Sequence, residues 1–318
     1  MFNFVFGVMV SKMIKRGFFL ILILVVCIPQ FADAQRWKRM RYEMIGGLGA
    51  SNFLGELGGS DQIGGNFYKD LDFASTRYAL HAGLRYKITK LISAKGSLTI
   101  GMVSGDDKLT NEFSRNNRNL HFKSTIVELS AQIEPSFIAE KSGSRYRLKG
   151  VKGRNGFSIN PYPFIGIGLF YFNPKALYNG VWYALQPLRT EGQGAIATRK
   201  PYSRIQMCIP VGLGLKYNID RKLSIGLEYG VRKTFTDYID DVSTTYADPE
   251  FIYNATQGVQ TDVAINLADP SSGEFPEKTA PGQQRGDPAD NDVYMFAIIT
   301  ANYKFRVTKR RRRSRPKF

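Results

Sequence analysis

Two histidines have side chains that could act as general bases near neutral pH. His81 lies within an alternating apolar and polar stretch, and His121 lies near the start of another. A hydrolytic triad would also need a serine and an acid beside one of them, and no nucleophile motif surrounds either. We therefore predict that the protein is not an enzyme and has no catalytic residues. A lipid-modifying outer-membrane enzyme that uses one of these histidines remains an alternative.

Four aspartates in FTDYIDDVSTTYADP offer a second chemistry, because carboxylate oxygens are the preferred ligands of Ca²⁺. They are Asp237, Asp240, Asp241 and Asp248. Their spacing differs from that of an EF-hand loop, so we expect a solvated acidic loop and no metal site. The glycine-rich stretch 46–59 has no P-loop lysine, and no cofactor is predicted.

The N-terminal region has the features of a secretory signal peptide. Lys12, Lys15 and Arg16 precede the apolar run 17–28, and small residues stand before Gln35. This pattern predicts cleavage after Ala34, with Met1 or Met13 as the start of translation. Of the two cysteines, Cys27 would leave with the signal and Cys208 would remain, so no intrachain disulfide is expected.

The stretch 75–101 contains two long alternating runs with only Thr89-Lys90 between them. In the first run, Tyr78, Leu80 and Leu84 share one side, since successive side chains of a strand point to opposite faces. The pattern predicts a β-hairpin whose strands are longer than those of most globular proteins. Their length is that of tilted strands that cross a bilayer.

Six more alternating stretches raise the number of predicted strands to eight. They lie at about 41–53, 127–137, 161–172, 205–217, 223–232 and 293–305. Short turns and long connections alternate along the chain, as they do between the periplasmic and extracellular ends of outer-membrane barrels. We therefore predict an all-β fold: an eight-stranded antiparallel transmembrane β-barrel of the outer membrane with long extracellular loops. The expected organisation is a signal peptide over 1–34, the barrel over 35–307 and a basic periplasmic tail over 308–318.

Charged side chains alternate with the aliphatic ones and are expected to point into the barrel. An eight-stranded barrel is just wide enough to be filled by side chains, so a porin function is disfavoured. A soluble sandwich or lipocalin-like barrel, with its apolar side inward, remains the alternative fold. Cys208 is also expected inside. The predicted interior polar network consists of Arg77, His81, Arg85, Lys95, Glu128, Glu134, Glu228 and Arg232.

The formal charge of +17 is concentrated in three segments next to strand ends that the alternation places on the periplasmic side. Such a surface could bind anionic lipid headgroups, a cell-wall polymer or an acidic protein surface; a merely solvated tail is the alternative. Nucleic acid is not expected as a partner in the periplasm. The candidate partner-binding residues are Arg36, Lys38, Arg39, Arg41, Lys141, Arg145, Arg147, Lys149, Lys152, Arg154, Lys309, Arg310, Arg311, Arg312, Arg313, Arg315 and Lys317.

Several blocks of the chain resemble one family. RYALHAGLRY, the block FNPKALYNGVWYALQPLRTEGQG and RKTFTDYIDDVSTTY are similar to the PorG-type outer-membrane barrels of the Bacteroidetes type IX secretion system. The resemblance runs from about residue 42 to about residue 305 and implies a non-enzymatic role in protein secretion and gliding motility. The partners that the resemblance implies are the two proteins of the periplasmic ring, a lipoprotein and a second ring protein. Outer-membrane lipid is a further expected partner, because the barrel is predicted to lie in the outer membrane. A small surface barrel that binds external ligands through its acidic loop 233–292 is the alternative function.

Overall fold

The computed structural model describes residues 40–57, 75–110, 112–138, 159–220, 222–271 and 273–306. The predicted signal peptide over 1–34 and the basic tail over 308–318 therefore lie outside the described residues. No helix within the described part of the chain is both long and apolar enough to cross a membrane.

Eight long strands form a closed antiparallel barrel in which each strand pairs with its neighbours along the chain, and β3 pairs with β4 to complete the ring. The first and last strands close the other seam, from Tyr42 opposite Phe305 to Leu54 opposite Val293. The predicted fold class is thus confirmed as a closed eight-stranded antiparallel barrel. The barrel strands are β1 (Tyr42–Leu54), β2 (Arg77–Lys87), β3 (Ile92–Asp106), β4 (His121–Pro135), β5 (Ile159–Tyr171), β8 (Ile205–Asn218), β9 (Leu223–Thr234) and β10 (Val293–Phe305).

The strands follow the predicted alternation, with the apolar side outward. On β5, for example, Ile165, Ile167 and Leu169 are exposed, whereas Phe164 and Phe170 are buried. Tyr42, Tyr217 and Tyr303 lie at one end of this outer surface, and Tyr78 and Tyr171 lie near the other. An apolar belt between two aromatic girdles is typical of the outer surface of a barrel in lipid. The soluble alternative, in which the aliphatic side of the strands faces inward, does not fit this arrangement.

The two ends of the barrel differ in their connections. At the turn end, residues 88–91 and 219–222 form short links, and 136–158 joins β4 to β5. The opposite, loop end carries the connections 55–76, 107–120, 172–204 and 235–292, parts of which fold on the barrel rim. We call the described parts of 172–204 and 235–292 the loop cap.

The loop end contains regular elements that the alternation pattern does not predict. Strand β4 begins at His121, where Asp106 of β3 is its partner, and ends before Phe137. A hairpin continues the sheet beyond β4, with Lys123 opposite Lys175. The added elements are β6 (Pro174–Tyr178), β7 (Val181–Ala184), α1 (Phe113–Arg118), α2 (Leu185–Leu188), α3 (Pro249–Thr256), α4 (Thr261–Ala268), α5 (Pro276–Thr279) and a 3-10 turn at Asp107–Leu109.

The apolar core lies in the loop-end half of the barrel and continues into the loop cap. Phe53 and Phe122 pack edge to face with ring centroids 5.0 Å apart, and Phe170 packs against Tyr294 at 5.3 Å. The same core includes Ile252 of α3 and Leu267 of α4, both of which are buried. Aromatic side chains of this size close the barrel at this level and anchor the cap to it.

Candidate functional site

The turn-end half of the barrel interior is filled by an ionic network centred on Arg85. Its guanidinium donates to Glu43 at 3.0 Å, to Glu134 at 3.1 Å and to Glu228 at 3.2 Å. The hydroxyl of Tyr162 also donates to Glu228, at 2.7 Å. Lysines complete the network, since Lys95 Nζ lies 2.5 Å from Glu228 and 3.3 Å from Glu134, and Lys87, Lys216 and Lys304 lie within 3.3–3.9 Å of Glu43.

A second, smaller cluster of polar side chains lies closer to the loop end. Arg232 Nε donates to Glu128 at 3.0 Å, and its guanidinium carbon lies 4.6 Å from the centroid of Phe296. Tyr294 donates to the same Glu128 oxygen at 3.0 Å and lies 3.5 Å from the sulfur of buried Cys208. Between the two groups, His81 Nδ1 is 2.9 Å from the hydroxyl of Thr99.

These contacts show where the structure places the predicted interior residues. Seven of the eight are buried inside the barrel, and their carboxylates face arginine or lysine. Arg77 differs from the prediction: it is exposed at the first residue of β2, where its guanidinium donates to the carbonyl of Thr76 at 3.2 Å. At the open rim this charge reaches water, which avoids the cost of burying it.

The interior leaves little room for a solute. A cavity of about 20 Å³ opens at the turn end beside Arg85, Lys87 and Tyr162, which is about the space that one water molecule needs. Further along the barrel, a Cβ at Gly230 would lie 2.5 Å from the ring of Phe164. The described interior is therefore packed with ion pairs and aromatic rings.

Sequence reasoning missed several members of the interior network, above all Glu43, which contacts four cationic side chains. Glu43 lies on the glycine-rich strand β1, where few apolar residues mark the alternation. Its register position opposite Arg85 of β2 would have identified it. Asn302 and Lys304 could have been found in the same way, because both alternate with the exposed residues of β10.

The turn end presents cationic side chains to solvent. Arg41, Lys90, Lys222 and Arg306 are partly or fully accessible, against the exposed carboxylate of Asp220. Arg41 donates to the hydroxyl of Tyr86 at 2.9 Å, which holds it against the aromatic girdle. Of the seventeen candidate partner-binding residues, Arg41 is described. The other sixteen lie outside the described residues: in sequence they precede β1, fall between β4 and β5, or follow β10.

The loop cap holds a buried network around Glu191. This carboxylate accepts from Arg285 at 3.0 Å, from the amide of Ser243 at 2.9 Å and from the hydroxyl of Thr244 at 2.7 Å. Arg285 also donates to the carbonyl of Asp241 at 2.6 Å. Burial raises the pKa of Asp241 to about 6, while the charge of Arg285 and hydrogen bonds oppose that rise.

The expectation of a solvated acidic loop is wrong for three of the four aspartates. Asp237, Asp240 and Asp241 are buried. The amides of Leu57 and Val242 donate to Asp240, and the hydroxyls of Thr190 and Tyr202 donate to Asp241. Asp248 is exposed, and its carboxylate accepts from the amide of Glu250 at 2.9 Å, which caps the N-terminus of α3. His121, by contrast, lies at the outer end of β4 as expected, where Nε2 accepts from the amide of Leu177 at 3.0 Å.

The fold and the interior together define a class: small, closed, side-chain-filled β-barrels with an apolar outer surface. The chain belongs to the family described as "Domain of unknown function (DUF6089)", whose model matches residues 16–251. No curated protein matches the chain in sequence.

Solved structures of small barrels are similar to this chain over most of its length. Ail, the attachment invasion locus protein of Yersinia pestis, has 10% identity and a TM-score of 0.37, with 84% of this chain and 99% of that chain covered. Neisserial surface protein A has 8% identity and a TM-score of 0.36, covering 83% and 96%. The N-terminal barrel of Pseudomonas aeruginosa OprF has 10% identity and a TM-score of 0.32, covering 84% and 98%.

Proposed function

We propose that this protein is an integral outer-membrane barrel that serves as a non-enzymatic docking component of the type IX secretion system. Its turn end would face the periplasm and bind the ring lipoprotein and the second ring protein. The resemblance of the chain to PorG-type barrels supports this assignment. Export by a cleaved signal peptide, and a role in gliding motility, belong to the same proposal.

The observation that carries the proposal is the separation of charge between the two ends. Among the charged side chains that the described turn end exposes, most are cationic. The segments 36–41 and 309–317, with formal charges of +4 and +7, adjoin the ends of β1 and β10 there. The loop-end segment 234–292 has twelve acidic residues against Lys278 and Arg285. A field of this kind steers acidic partners to one end of the barrel.

The packed interior supports docking over transport through the barrel. The ion pairs around Arg85 span the interior and would have to break before any solute could pass. Breaking a buried ion pair costs about 3–5 kcal/mol, so the barrel is suited to be a rigid anchor. A non-enzymatic role also agrees with the positions of the two histidines. His81 is hydrogen-bonded to the hydroxyl of Thr99 inside the barrel, and His121 accepts a hydrogen bond from the backbone amide of Leu177.

The test is recovery of the ring proteins with a tail variant in which every Lys and Arg of 309–317 is replaced by Gln. The wild-type protein, purified from its native membrane, should recover the ring proteins well at about 50 mM salt and poorly at about 500 mM, because salt screens exposed charges. The tail variant should recover few at either concentration. The matched control replaces Lys108 and Lys175, which are basic residues at the loop end, by Gln and should behave as the wild type.

Unchanged recovery with the tail variant would refute the docking role of the tail. If shortening of segment 249–279 abolished function while the tail variant retained it, the protein would instead act as a surface barrel for external ligands. The folded loop cap is the observation that favours this second function.

A further inference from the structure

Three neighbouring strand ends bring four carboxylates together at the rim of the loop end. Glu56 lies two residues beyond the end of β1, and Asp292 directly precedes β10. Asp237 and Asp240 follow the end of β9. Because β10 pairs with both β1 and β9, these residues must converge. We call Glu56, Asp237, Asp240 and Asp292 the carboxylate cluster.

Backbone amides hold three of these carboxylates in place. Asp240 accepts from the amides of Leu57 at 3.1 Å and Val242 at 3.0 Å, and Asp292 Oδ2 accepts from Ile239 at 2.7 Å. Glu56 Oε1 accepts from the amide of Asp287 at 3.1 Å. One oxygen each of Glu56, Asp240 and Asp292 then lie within 4.8 Å of one another. The side chains are therefore fixed close together before any ligand is added.

Several oxygens of the cluster are buried without a hydrogen-bond donor. Asp292 is 1% exposed, yet its Oδ1 has no partner within the described structure, and neither does Oε2 of Glu56. Both oxygens of Asp237, which is 7% exposed, likewise lack a well-formed hydrogen bond, although the side chains of Ser243 and Glu56 are near enough to oppose the rise that burial causes in its pKa. A buried carboxylate oxygen without a donor or a cation is costly, so the cluster has the donor set of an incomplete site.

The nearby arginine does not neutralise the cluster. Arg118 pairs with Asp107 at 2.8 Å and donates to the backbone carbonyls of Glu56 and Arg285 at 3.0 and 2.6 Å. Within the described ranges, no Lys or Arg forms a salt bridge with any of the four carboxylates. Burial and mutual repulsion accordingly raise the pKa values of Glu56 and Asp237 to about 8.

The backbone beside the cluster leaves room for close approach. A Cβ at Gly55 would lie too close to Oδ1 of Asp292, so a side chain at this position would push the unpartnered oxygen away. Because Gly55 has no side chain, both the carboxylate of Asp292 and the ring of Phe53 lie close to the chain between β1 and Glu56. Oδ1 of Asp292 therefore lies beside the backbone of Gly55, where the ends of β1 and β10 meet.

We propose that Glu56, Asp240 and Asp292 bind a calcium ion that joins the ends of β1, β9 and β10. All donors are oxygens, which suits a hard cation and disfavours zinc or copper. Ca²⁺ binds oxygens at 2.3–2.6 Å, so two ligands on opposite sides of the ion are up to about 5 Å apart, in agreement with the observed spacing. Asp237 adds negative charge beside the ion. The site joins the loop cap to the barrel rim and is independent of the proposed docking role at the turn end.

Calorimetric titration of the purified full-length protein in detergent micelles, first stripped with EDTA, tests the site. CaCl₂ should bind at one site per chain with a dissociation constant of about 10⁻³ M or tighter, the range of extracellular calcium modules. Asp292→Asn should weaken the affinity at least about tenfold, since it removes one charged ligand. The double variant Glu56→Gln, Asp240→Asn should remove measurable binding.

Asp290→Asn is the matched control, because Asp290 is exposed, acidic and only two residues from Asp292. It should bind calcium as the wild type does. Circular dichroism of each variant checks that the barrel is folded, which we expect because the cluster lies beyond the strands. Failure of the folded wild type to bind Ca²⁺, equal weakening by Asp290→Asn, or equal affinity for Mg²⁺ would each overturn the calcium assignment.

Discussion

The barrel interior and the carboxylate cluster both bury acidic side chains, but they neutralise them in opposite ways. Inside the barrel, each of Glu43, Glu128, Glu134 and Glu228 has at least one arginine or lysine within salt-bridge distance. In the cluster, the described residues supply backbone amides and no cationic side chain. Both regions contain buried carboxylates. They differ in whether cationic side chains of the protein neutralise them.

Buried charge can therefore serve two purposes in one small fold. Inside the barrel each of these carboxylates has a cationic partner, although Glu128 Oε1 has no hydrogen-bond donor of its own. Loss of that pairing would leave uncompensated buried charges. Incomplete pairing at the rim leaves room for an ion from outside. The barrel interior thus neutralises its carboxylates with the protein's own cations. The stability of the loop cap should instead depend on the pH and the cations of the solution.

Replacement of Arg85 should have the largest effect on stability. Arg85→Met removes the cation that Glu43, Glu134 and Glu228 share, and it should lower the free energy of unfolding by about 3–5 kcal/mol. Urea unfolding of the protein in micelles, followed by circular dichroism, measures this loss. Arg232→Met, which leaves the single carboxylate of Glu128, is the comparison and should cost less. Equal losses in the two variants would contradict the central role of Arg85.

The barrel could be predicted from sequence because its rule is local. Alternation with a period of two places Ile165 outside and Phe164 inside without knowledge of any distant residue. The interior charges follow from the same rule. Glu43 was missed because the glycines of β1 leave few apolar residues to mark the alternation. Arg77 obeys the alternation but lies at the rim, where position along the strand decides its exposure.

The carboxylate cluster could not be predicted in this way. Its members lie at 56, 237, 240 and 292, and they meet only because β1, β9 and β10 are neighbours in the closed barrel. Spacing within FTDYIDDVSTTYADP suggested no metal motif, because Glu56 and Asp292 come from other connections. Nor does local sequence show that Asp240 and Asp241 meet donors such as Leu57, Thr190 and Tyr202, which lie in other connections. Sites assembled from distant loops require the strand order first.

Replacement of a carboxylate by an amide should have opposite effects on stability in the two regions. Glu134→Gln removes a charged acceptor of Arg85 and Lys95 and should destabilise the protein by about 1.5–3 kcal/mol. Asp292→Asn in EDTA removes a carboxyl group whose charged form its neighbours repel, and at about pH 8.5 it should stabilise the loop cap by about 1 kcal/mol. Urea unfolding measures the first effect, and thermal melting of the tyrosine near-ultraviolet circular dichroism measures the second. Destabilisation by both variants would contradict the contrast.

The smallest effect should be the response of the loop cap to pH in the absence of calcium. Glu56 and Asp237 have folded pKa values of about 8, raised first by burial and then, for Glu56, by Asp237 and, for Asp237, by Asp240. The pKa of Asp292 is also raised, chiefly by burial. The charge of Arg118 opposes the rise in the pKa of Glu56. Unfolded carboxyl groups titrate near pH 4. Between these values the folded cap binds more protons than the unfolded chain, so its stability must fall as pH rises.

Near-ultraviolet melting of the cap in EDTA should therefore show a lower midpoint at about pH 8.5 than at about pH 6, with a loss on the order of 1 kcal/mol, a value reduced because Glu56 is partly exposed. The double variant Glu56→Gln, Asp237→Asn should flatten this dependence. Calcium should restore most of the loss at the higher pH, because the ion binds the deprotonated carboxylates. A cap that gains stability on deprotonation in EDTA would show that the cluster is already neutralised by the protein, and the contrast with the barrel interior would disappear.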